Sequence, residues 1–211
     1  MKRLCFLLLA VFLASCESAS FTDLVTVSGQ VLYHDDFSDP SGGWMQASDA
    51  NGSLGYADGS YRVQVQAPDF LLWAASGHAY RDVRVEADAV RLAGPLANQL
   101  GLVCRFQDVD NFYFFVISSD GYYGIGKMAQ GAASLLDQAM MLYSAAVPQG
   151  PDPVHLRFDC IGPALTAYVN DQRIATAQDA DYVEGDAGVV AGTFDEGGVD
   201  VAFDNFVVIK P

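Results

Sequence analysis

Positively charged residues are scarce in this sequence. Its 211 residues include 11 Lys and Arg against 26 Asp and Glu, which gives a formal net charge of −15 at pH 7. Surfaces that bind nucleic acid are basic because they neutralise phosphates, and anionic lipid headgroups attract basic segments for the same reason. We therefore expect no nucleic acid among the partners of this protein.

The sequence also lacks an apolar run long enough to span a bilayer. Residues 4–14 (LCFLLLAVFLA) fall short of the ~18 residues that a membrane helix needs. The run follows Lys2 and Arg3, as the hydrophobic region of a secretory signal peptide does. It ends in the motif LASC, with Cys16 last, which resembles the lipobox of bacterial lipoproteins.

The lipobox resemblance implies cleavage before Cys16 and acylation of that residue. The protein would then be exported and anchored by lipid in the bacterial cell envelope, with the membrane as a partner. The alternative is an ordinary signal peptide followed by an unrelated cysteine. Loss of Lys2 and Arg3 changes the formal charge from −15 to −17. The predicted organisation is a signal peptide at 1–15, a lipidated cysteine and tether at 16–29, and one domain at 30–211.

Cysteine is scarce, and two cysteines are left for the folded domain. Cys5 lies in the signal region and Cys16 is the predicted lipid site, so Cys104 and Cys160 remain. Each belongs to the apolar face of an alternating segment. Exported proteins fold in an oxidising compartment, which favours a disulfide that would contribute roughly 4 kcal/mol. The alternative is a pair of buried free thiols.

Helical periodicity is missing over any full helix length, and no repeat is present. About a dozen short strand-like segments instead alternate with turn signals at roughly 8–12-residue spacing, which predicts an all-β sandwich or barrel. Residues 61–67 (YRVQVQA) alternate cleanly between apolar and polar. Residues 99–128 predict three antiparallel strands separated by turns at 108–111 and 119–121. Residues 135–143 fit either a strand or a short helix.

The order of these segments resembles that of the concanavalin A-like lectin/glucanase jelly rolls. The resemblance covers residues 33–209 and rests on DDFSDPSGGW, GLVCRFQDVDNFYFFVISSDGYYGIGK, LRFDCIGPALTAYVNDQRI and VAFDNFVV. Within that superfamily the sequence looks closest to lipoproteins near the 3-keto-disaccharide hydrolase domains. The resemblance implies a jelly-roll β-sandwich of two curved antiparallel sheets, whose concave face often binds glycans. One such fold serves lectins, hydrolases and inert scaffolds alike.

The residues expected of a glucanase are incomplete. Glucanases of this fold carry Glu-x-Asp-x-x-Glu on one strand to supply acid and nucleophile. The nearest match is Glu86-Ala87-Asp88, and Arg91 stands where the second glutamate belongs. No histidine lies in a nucleophile motif. We therefore name no catalytic residue and favour a role other than catalysis. Hydrolysis of glycosides or 3-keto sugars is the alternative that the resemblance supports.

A carbohydrate-binding or surface-interaction face is the function that the strand patterns favour. With Cys104 and Cys160 directed inward, alternation places cations, amides and tyrosines on outward faces, where rings stack on sugars and cations bind hydroxyl or acidic groups. The candidates are Arg105, Gln107, Tyr113, Tyr123, Lys127, Arg157 and Tyr168. The alternative is that the tyrosines are ordinary strand formers and the arginines pair with surface acids. A structural envelope lipoprotein is the third hypothesis.

Calcium is the one ion that the resemblance suggests. Sandwiches of this superfamily often join their terminal strands through Ca²⁺, and Asp36 and Asp204 lie in the first and last predicted strands. Asp108, Asp110 and Asn111 form a second oxygen-rich loop, although such residues also form turns. We expect no other cofactor.

Overall fold

A computed structural model describes residues 29–211, which form a sandwich of two antiparallel β-sheets. The predicted all-β jelly roll is confirmed. Within the described range, no helix is long and apolar enough to cross a membrane. The predicted signal peptide, Cys16 and nearly all of the predicted tether lie outside the described residues.

The sandwich is built from short strands, as the spacing of the turn signals predicts. The strands are β1 Val31–Asp35, β2 Ala47–Ser48, β3 Gly52–Ala57, β4 Ser60–Val65, β5 Leu71–Ala75, β6 Val83–Ala93, β7 Asn98–Asp108, β8 Asn111–Ile117, β9 Tyr122–Ala129, β10 Ala132–Leu135, β11 Leu142–Tyr143, β12 Val154–Ile161, β13 Ala164–Val169, β14 Gln172–Gln178, β15 Asp186–Thr193 and β16 Val199–Ile209. The three strands predicted in residues 99–128 are β7, β8 and β9. Residues 135–143, whose sequence fits either a strand or a short helix, form the end of β10, a loop and β11.

One sheet has nine strands and the other has seven. The nine-stranded sheet runs β14-β13-β12-β6-β16-β4-β3-β2, and β1 pairs with the last residues of β16. The seven-stranded sheet runs β10-β9-β8-β7-β15-β5, and β11 pairs with β9. The main core lies between the sheets.

Two-residue alternation decides which side chains enter that core. In β4, Tyr61, Val63 and Val65 are fully buried, while Arg62 and Gln64 point outward. The same alternation places the apolar residues of β6 and β12 inside the sandwich. An antiparallel sheet with one face in the core produces this pattern, so the predicted inward faces of these strands are confirmed.

A disulfide joins the two sheets. Cys104 in β7 and Cys160 in β12 are bonded, with their Cα atoms 6.7 Å apart, and both are fully buried. The pairing expected from the alternation and from the predicted export is thus formed, and the alternative of two free thiols is not.

The disulfide also marks one end of the sandwich, the end at which the described chain begins. Val31 pairs with Ile209, Ile209 pairs with Arg84, and the neighbouring Val83 pairs with Cys160. We call this the disulfide end. The opposite end, called the far end, is marked by Asn98, Ile117 and Thr193.

Replacing both cysteines, Cys104→Ala with Cys160→Ala, is expected to lower the free energy of unfolding by about 4 kcal/mol. The bond spans 56 residues of sequence, and removing it restores entropy to the unfolded chain. Urea unfolding of the oxidised protein and of the double variant measures the difference. Reduction of the wild type should reproduce the loss, and equal midpoints for all three would contradict the prediction.

Candidate functional site

The outer face of the seven-stranded sheet is apolar. In β7, β8 and β9, alternate residues point away from the main core and form a second buried cluster with Val190 of β15. The members from these three strands are Val103, Phe112, Phe114, Val116 and Met128. Trp73 of β5 packs on Phe112 with ring centroids 5.0 Å apart. The solvated face of an antiparallel sheet is usually polar. An apolar outer face therefore needs other residues to shield it from water.

Residues 132–143 supply part of this cover. Both β10 and β11 pair with β9, so the loop between them lies beside the sheet, and Leu135 and Met141 pack against the second cluster. Glycines in β9 permit the close approach. A Cβ at Gly126 would lie 2.2 Å from the Phe114 ring, and one at Gly124 would lie 2.8 Å from Leu135.

A groove of about 520 Å³ remains between this cover and the sheet. It lies toward the far end, since Leu71 and Gln99 belong to the far-end portions of β5 and β7. An adjoining cavity of about 340 Å³ shares several of its walls. The residues that line the groove are Leu71, Gln99, Phe114, Ala133, Ser134, Leu135, Gln138, Ala139, Met141 and Phe194.

The chemistry of the groove is apolar and amide-rich, without charge. Gln99, Ser134 and Gln138 contribute its polar side chains, and Phe114 and Phe194 contribute its aromatic rings. None of the lining residues that the structure describes is charged. Apolar walls with a few hydrogen-bonding groups suit a neutral ligand that has both hydroxyls and apolar faces.

A second depression, of about 500 Å³, lies on the nine-stranded sheet beside β2, β3 and β4. Its polar side chains already bond to one another. Arg62 donates two hydrogen bonds to Asp200, Gln64 donates to the same carboxylate, and Ser53 donates to Gln64. Because these groups satisfy one another, the depression is a weaker candidate than the groove.

Arg105 is not on an outward face, so its predicted orientation is wrong. It has a φ of +50° at a β-bulge where the register of β7 against β8 shifts by two residues between Cys104 and Asp108, and its side chain turns inward beside Cys104. The side chain is 1% exposed. Its guanidinium donates to three backbone carbonyls and to the Asp82 carboxylate, and so ties loops of the two sheets together. The carbonyls belong to Arg81, Gly162 and Tyr182.

Tyr113 and Lys127 also point inward, which corrects their predicted outward position. Both hydrogen-bond to the Asp179 carboxylate, and Lys127 additionally bonds to Asp181. Burial lowers the pKa of Lys127, but the hydrogen bonds to the two carboxylates more than offset it, so the net shift is upward. Burial raises the pKa of Tyr113 to about 12, assisted by Asp179. These residues form a polar tie at the disulfide end.

The remaining candidates are scattered rather than gathered on one face. Tyr123 is half-buried against the main core, and Gln107 is exposed near the β7–β8 turn. Arg157 and Tyr168 do meet, on the outer face of the nine-stranded sheet, where the guanidinium lies 4.1 Å from the ring centroid. Arg157 also pairs with Asp159, in agreement with the alternative hypothesis that the arginines pair with acidic side chains. The single face expected from the sequence is therefore not formed.

The carboxylates nearest to a glucanase pattern lie on the other sheet from the groove. Glu86 and Asp88 point outward from β6, and His155 lies between them, with its ring nitrogens 3.6 Å and 2.8 Å from their oxygens. Asn205 donates to the second oxygen of Asp88. These acids are therefore engaged with neighbouring side chains.

The two aspartates suggested for calcium bond to their own neighbours. Asp36 accepts hydrogen bonds from the backbone and hydroxyl of Ser38, and Asp204 accepts one from the backbone of Asn205. Among residues 29–211, no three or more His, Cys, Asp or Glu side chains converge as a metal site. Calcium binding at Asp36 and Asp204 stays a prediction.

The groove is not predicted from the sequence, because the alternation rule gives each strand a single apolar face. A usable signal was present in β8, whose sequence NFYFFVI is apolar at consecutive positions. Such a run indicates a strand that is buried on both faces. Gln138 and Phe194 follow or lie between strands, and no local pattern marks them.

Known structures share this fold. A carbohydrate-binding module, CBM66 from Bacillus subtilis, is 20% identical, with coverage of 79% of this chain and 95% of that chain and a TM-score of 0.56. A Bacillus subtilis protein described as having a galectin-like fold is 11% identical, with coverage of 87% and 97% and a TM-score of 0.62. A Bacillus licheniformis β-glucanase is 12% identical, with coverage of 85% and 97% and a TM-score of 0.60.

These likenesses confirm the concanavalin A-like, galectin-like jelly roll. At such identities they show the fold alone. No protein-family model matches the sequence, and no curated protein matches it either. The narrower resemblance, to lipoproteins near the 3-keto-disaccharide hydrolase domains, stays a prediction.

Arg105→Ala is expected to lower the free energy of unfolding by about 3 kcal/mol or more, because it leaves buried carbonyl groups without their donor. Gln107→Ala is the matched control, since Gln107 lies in the same strand but is exposed. The control should change stability by no more than about 0.5 kcal/mol. Urea unfolding measures both variants, and equal effects would refute the structural role of Arg105.

The hydrogen bonds of Asp179 predict that the free energy of unfolding decreases at acid pH. Burial raises the pKa of this carboxyl, but hydrogen bonds from Tyr113, the Asp181 backbone and Lys127 together lower it below its usual range. Because the unfolded chain takes up a proton near pH 4, the contribution is complete above about pH 4 and is lost as the pH falls through the lower folded pKa.

Asp179→Asn should therefore melt at a lower temperature near neutral pH and show a smaller further decrease in acid. Thermal melts across the acid range test this. Asp195→Asn, at an exposed aspartate, should keep the acid dependence of the wild type. A variant of Asp179 with an unchanged acid profile would contradict the prediction.

Proposed function

We propose that this protein is a lipid-anchored, extracytoplasmic carbohydrate-binding module and that its ligand occupies the groove on the seven-stranded sheet. The observation that carries the proposal is the uncharged groove of about 520 Å³ that combines amides with aromatic rings. Sugars present hydroxyls at their edges and C–H groups on their faces, which match amides and rings respectively.

The charge of the protein supports a neutral glycan. Among the described residues that line the groove, there is no positively charged side chain to pair with a carboxylated or sulfated sugar. The net charge of −15 would also repel acidic polysaccharides before they reach the site. A neutral ligand avoids both penalties.

The geometry of the sandwich supports presentation of the groove away from a membrane. Gly29 is the first residue that the structure describes, and its backbone amide donates a hydrogen bond to the carbonyl of Lys210 at the disulfide end. The groove lies toward the far end, where Gln99 pairs with Gly192. A tether that joins the sandwich at Gly29 would therefore attach at the end opposite the groove.

The proposal is tested by a glycan array of neutral and acidic oligosaccharides with the full chain purified in detergent. We expect neutral glycans to bind. The double variant Gln99→Leu with Gln138→Leu keeps side-chain size but removes both amides, and it should weaken binding about tenfold, equivalent to 1.4 kcal/mol.

Arg157→Ala with Tyr168→Ala is the control on the opposite sheet, and it should bind as the wild type does. Loss of binding in this control instead would place the site on the nine-stranded sheet. Turnover of a 3-keto sugar or a glycoside would favour the enzyme. An array without any signal, and no turnover, would leave a structural envelope lipoprotein as the remaining hypothesis.

A further inference from the structure

An exposed pair of tyrosines lies beside the groove. Tyr143 is 58% exposed and Tyr122 is 41% exposed, although both are large aromatic residues. Their ring centroids are 5.8 Å apart and the rings meet edge to face at 74°. Single exposed aromatic residues are ordinary on protein surfaces, whereas these two rings contact each other.

The Tyr143 ring is held in place by the turn below it. Gly121 has a φ of +101°, and a Cβ on it would lie 2.7 Å from the ring, so the ring lies directly over this turn. Gln149 donates a hydrogen bond of 3.4 Å to the phenol oxygen. The backbone at Tyr143 pairs with Tyr122, and the amide of Ser144 donates to Gly121. The ring is therefore exposed and also oriented.

The tyrosine pair is continuous with the groove through the adjoining cavity. Tyr122 and Met140 line the adjoining cavity of about 340 Å³, and Met140 is 70% exposed. This cavity and the groove share the side chains of Leu135, Met141 and Phe194. A ligand that fills the groove would pass these shared walls to reach the tyrosines.

We propose that Tyr143 and Tyr122 form an outer stacking subsite that receives an additional sugar unit of a neutral oligosaccharide lying in the groove. This inference rests on the proposed function and adds a preference for chain length. An oriented ring loses little conformational entropy when it stacks on a sugar, which is why rigid aromatic residues suit this role. The binding site then extends from the amides of Gln99 and Gln138 to the far-end tyrosines.

The test compares short and long ligands. The full chain in detergent is titrated with neutral glucan, xylan, mannan, galactan and fructan oligomers, from disaccharide to octasaccharide. For any series that binds, wild-type affinity should rise with length. Tyr143→Ala should lower affinity for the longest oligomer roughly five- to tenfold and change that for the disaccharide less than about twofold.

Two further variants separate stacking from folding. Tyr143→Phe keeps the ring and loses only the hydroxyl, so it should bind long oligomers as the wild type does. Tyr168→Ala removes a ring from the opposite sheet and should leave binding unchanged. Thermal melts should show all three variants folded at the temperature of the titration.

The variants distinguish a failure of the outer subsite from a failure of the proposed function. If Tyr143→Ala binds long and short oligomers as tightly as the wild type does, while the Gln99 and Gln138 variant loses binding, the subsite is refuted and the groove stands. An equal loss for long and short oligomers also refutes an outer subsite. Absence of binding in every neutral series refutes the proposed function and this inference together.

Discussion

Burial of the central strands on both faces is the constraint from which the rest of this structure follows. β8 sends Tyr113, Phe115 and Ile117 into the main core and Phe112, Phe114 and Val116 to the opposite side. Because that opposite side is apolar, it requires a cover, which residues 132–143 partly provide. The space left between cover and sheet is the groove. One feature of the packing thus accounts for both the stability of the sheet and the candidate site.

The polar ties lie at the other end of the molecule. Arg105 bonds to carbonyls on both sides of the sandwich, and Lys127 and Tyr113 meet at Asp179. Burying a cation costs free energy unless hydrogen bonds and opposite charges satisfy it. The stability of this end therefore depends strongly on the partners of Arg105 and Lys127. Together with the disulfide they hold the disulfide end closed, while the far end carries the groove and the exposed tyrosines.

Prediction from the sequence succeeded where one local rule decided the outcome. Alternation identified the inward faces of β4, β6 and β12, and turn residues placed the boundaries of β7, β8 and β9 closely. It failed at Arg105, where a positive φ interrupts the alternation, and at Lys127, where an inward cation is satisfied by carboxylates more than 50 residues away. Neither a bulge nor a distant partner leaves a periodic signal.

The sequence by itself determined the all-β class and the pairing of Cys104 with Cys160, because both follow from local periodicity, the pairing also from the predicted export. The jelly roll followed from the resemblance in the order of the segments. The tertiary structure alone decided that Gln99, Gln138 and Phe194 share a groove and that Arg157 and Tyr168 lie on the other sheet. Gln99, Gln138 and Phe194 come from β7, from the loop between β10 and β11 and from the position after β15. Only the order of strands in the sheets brings them together, and that order follows from the packing of the whole chain.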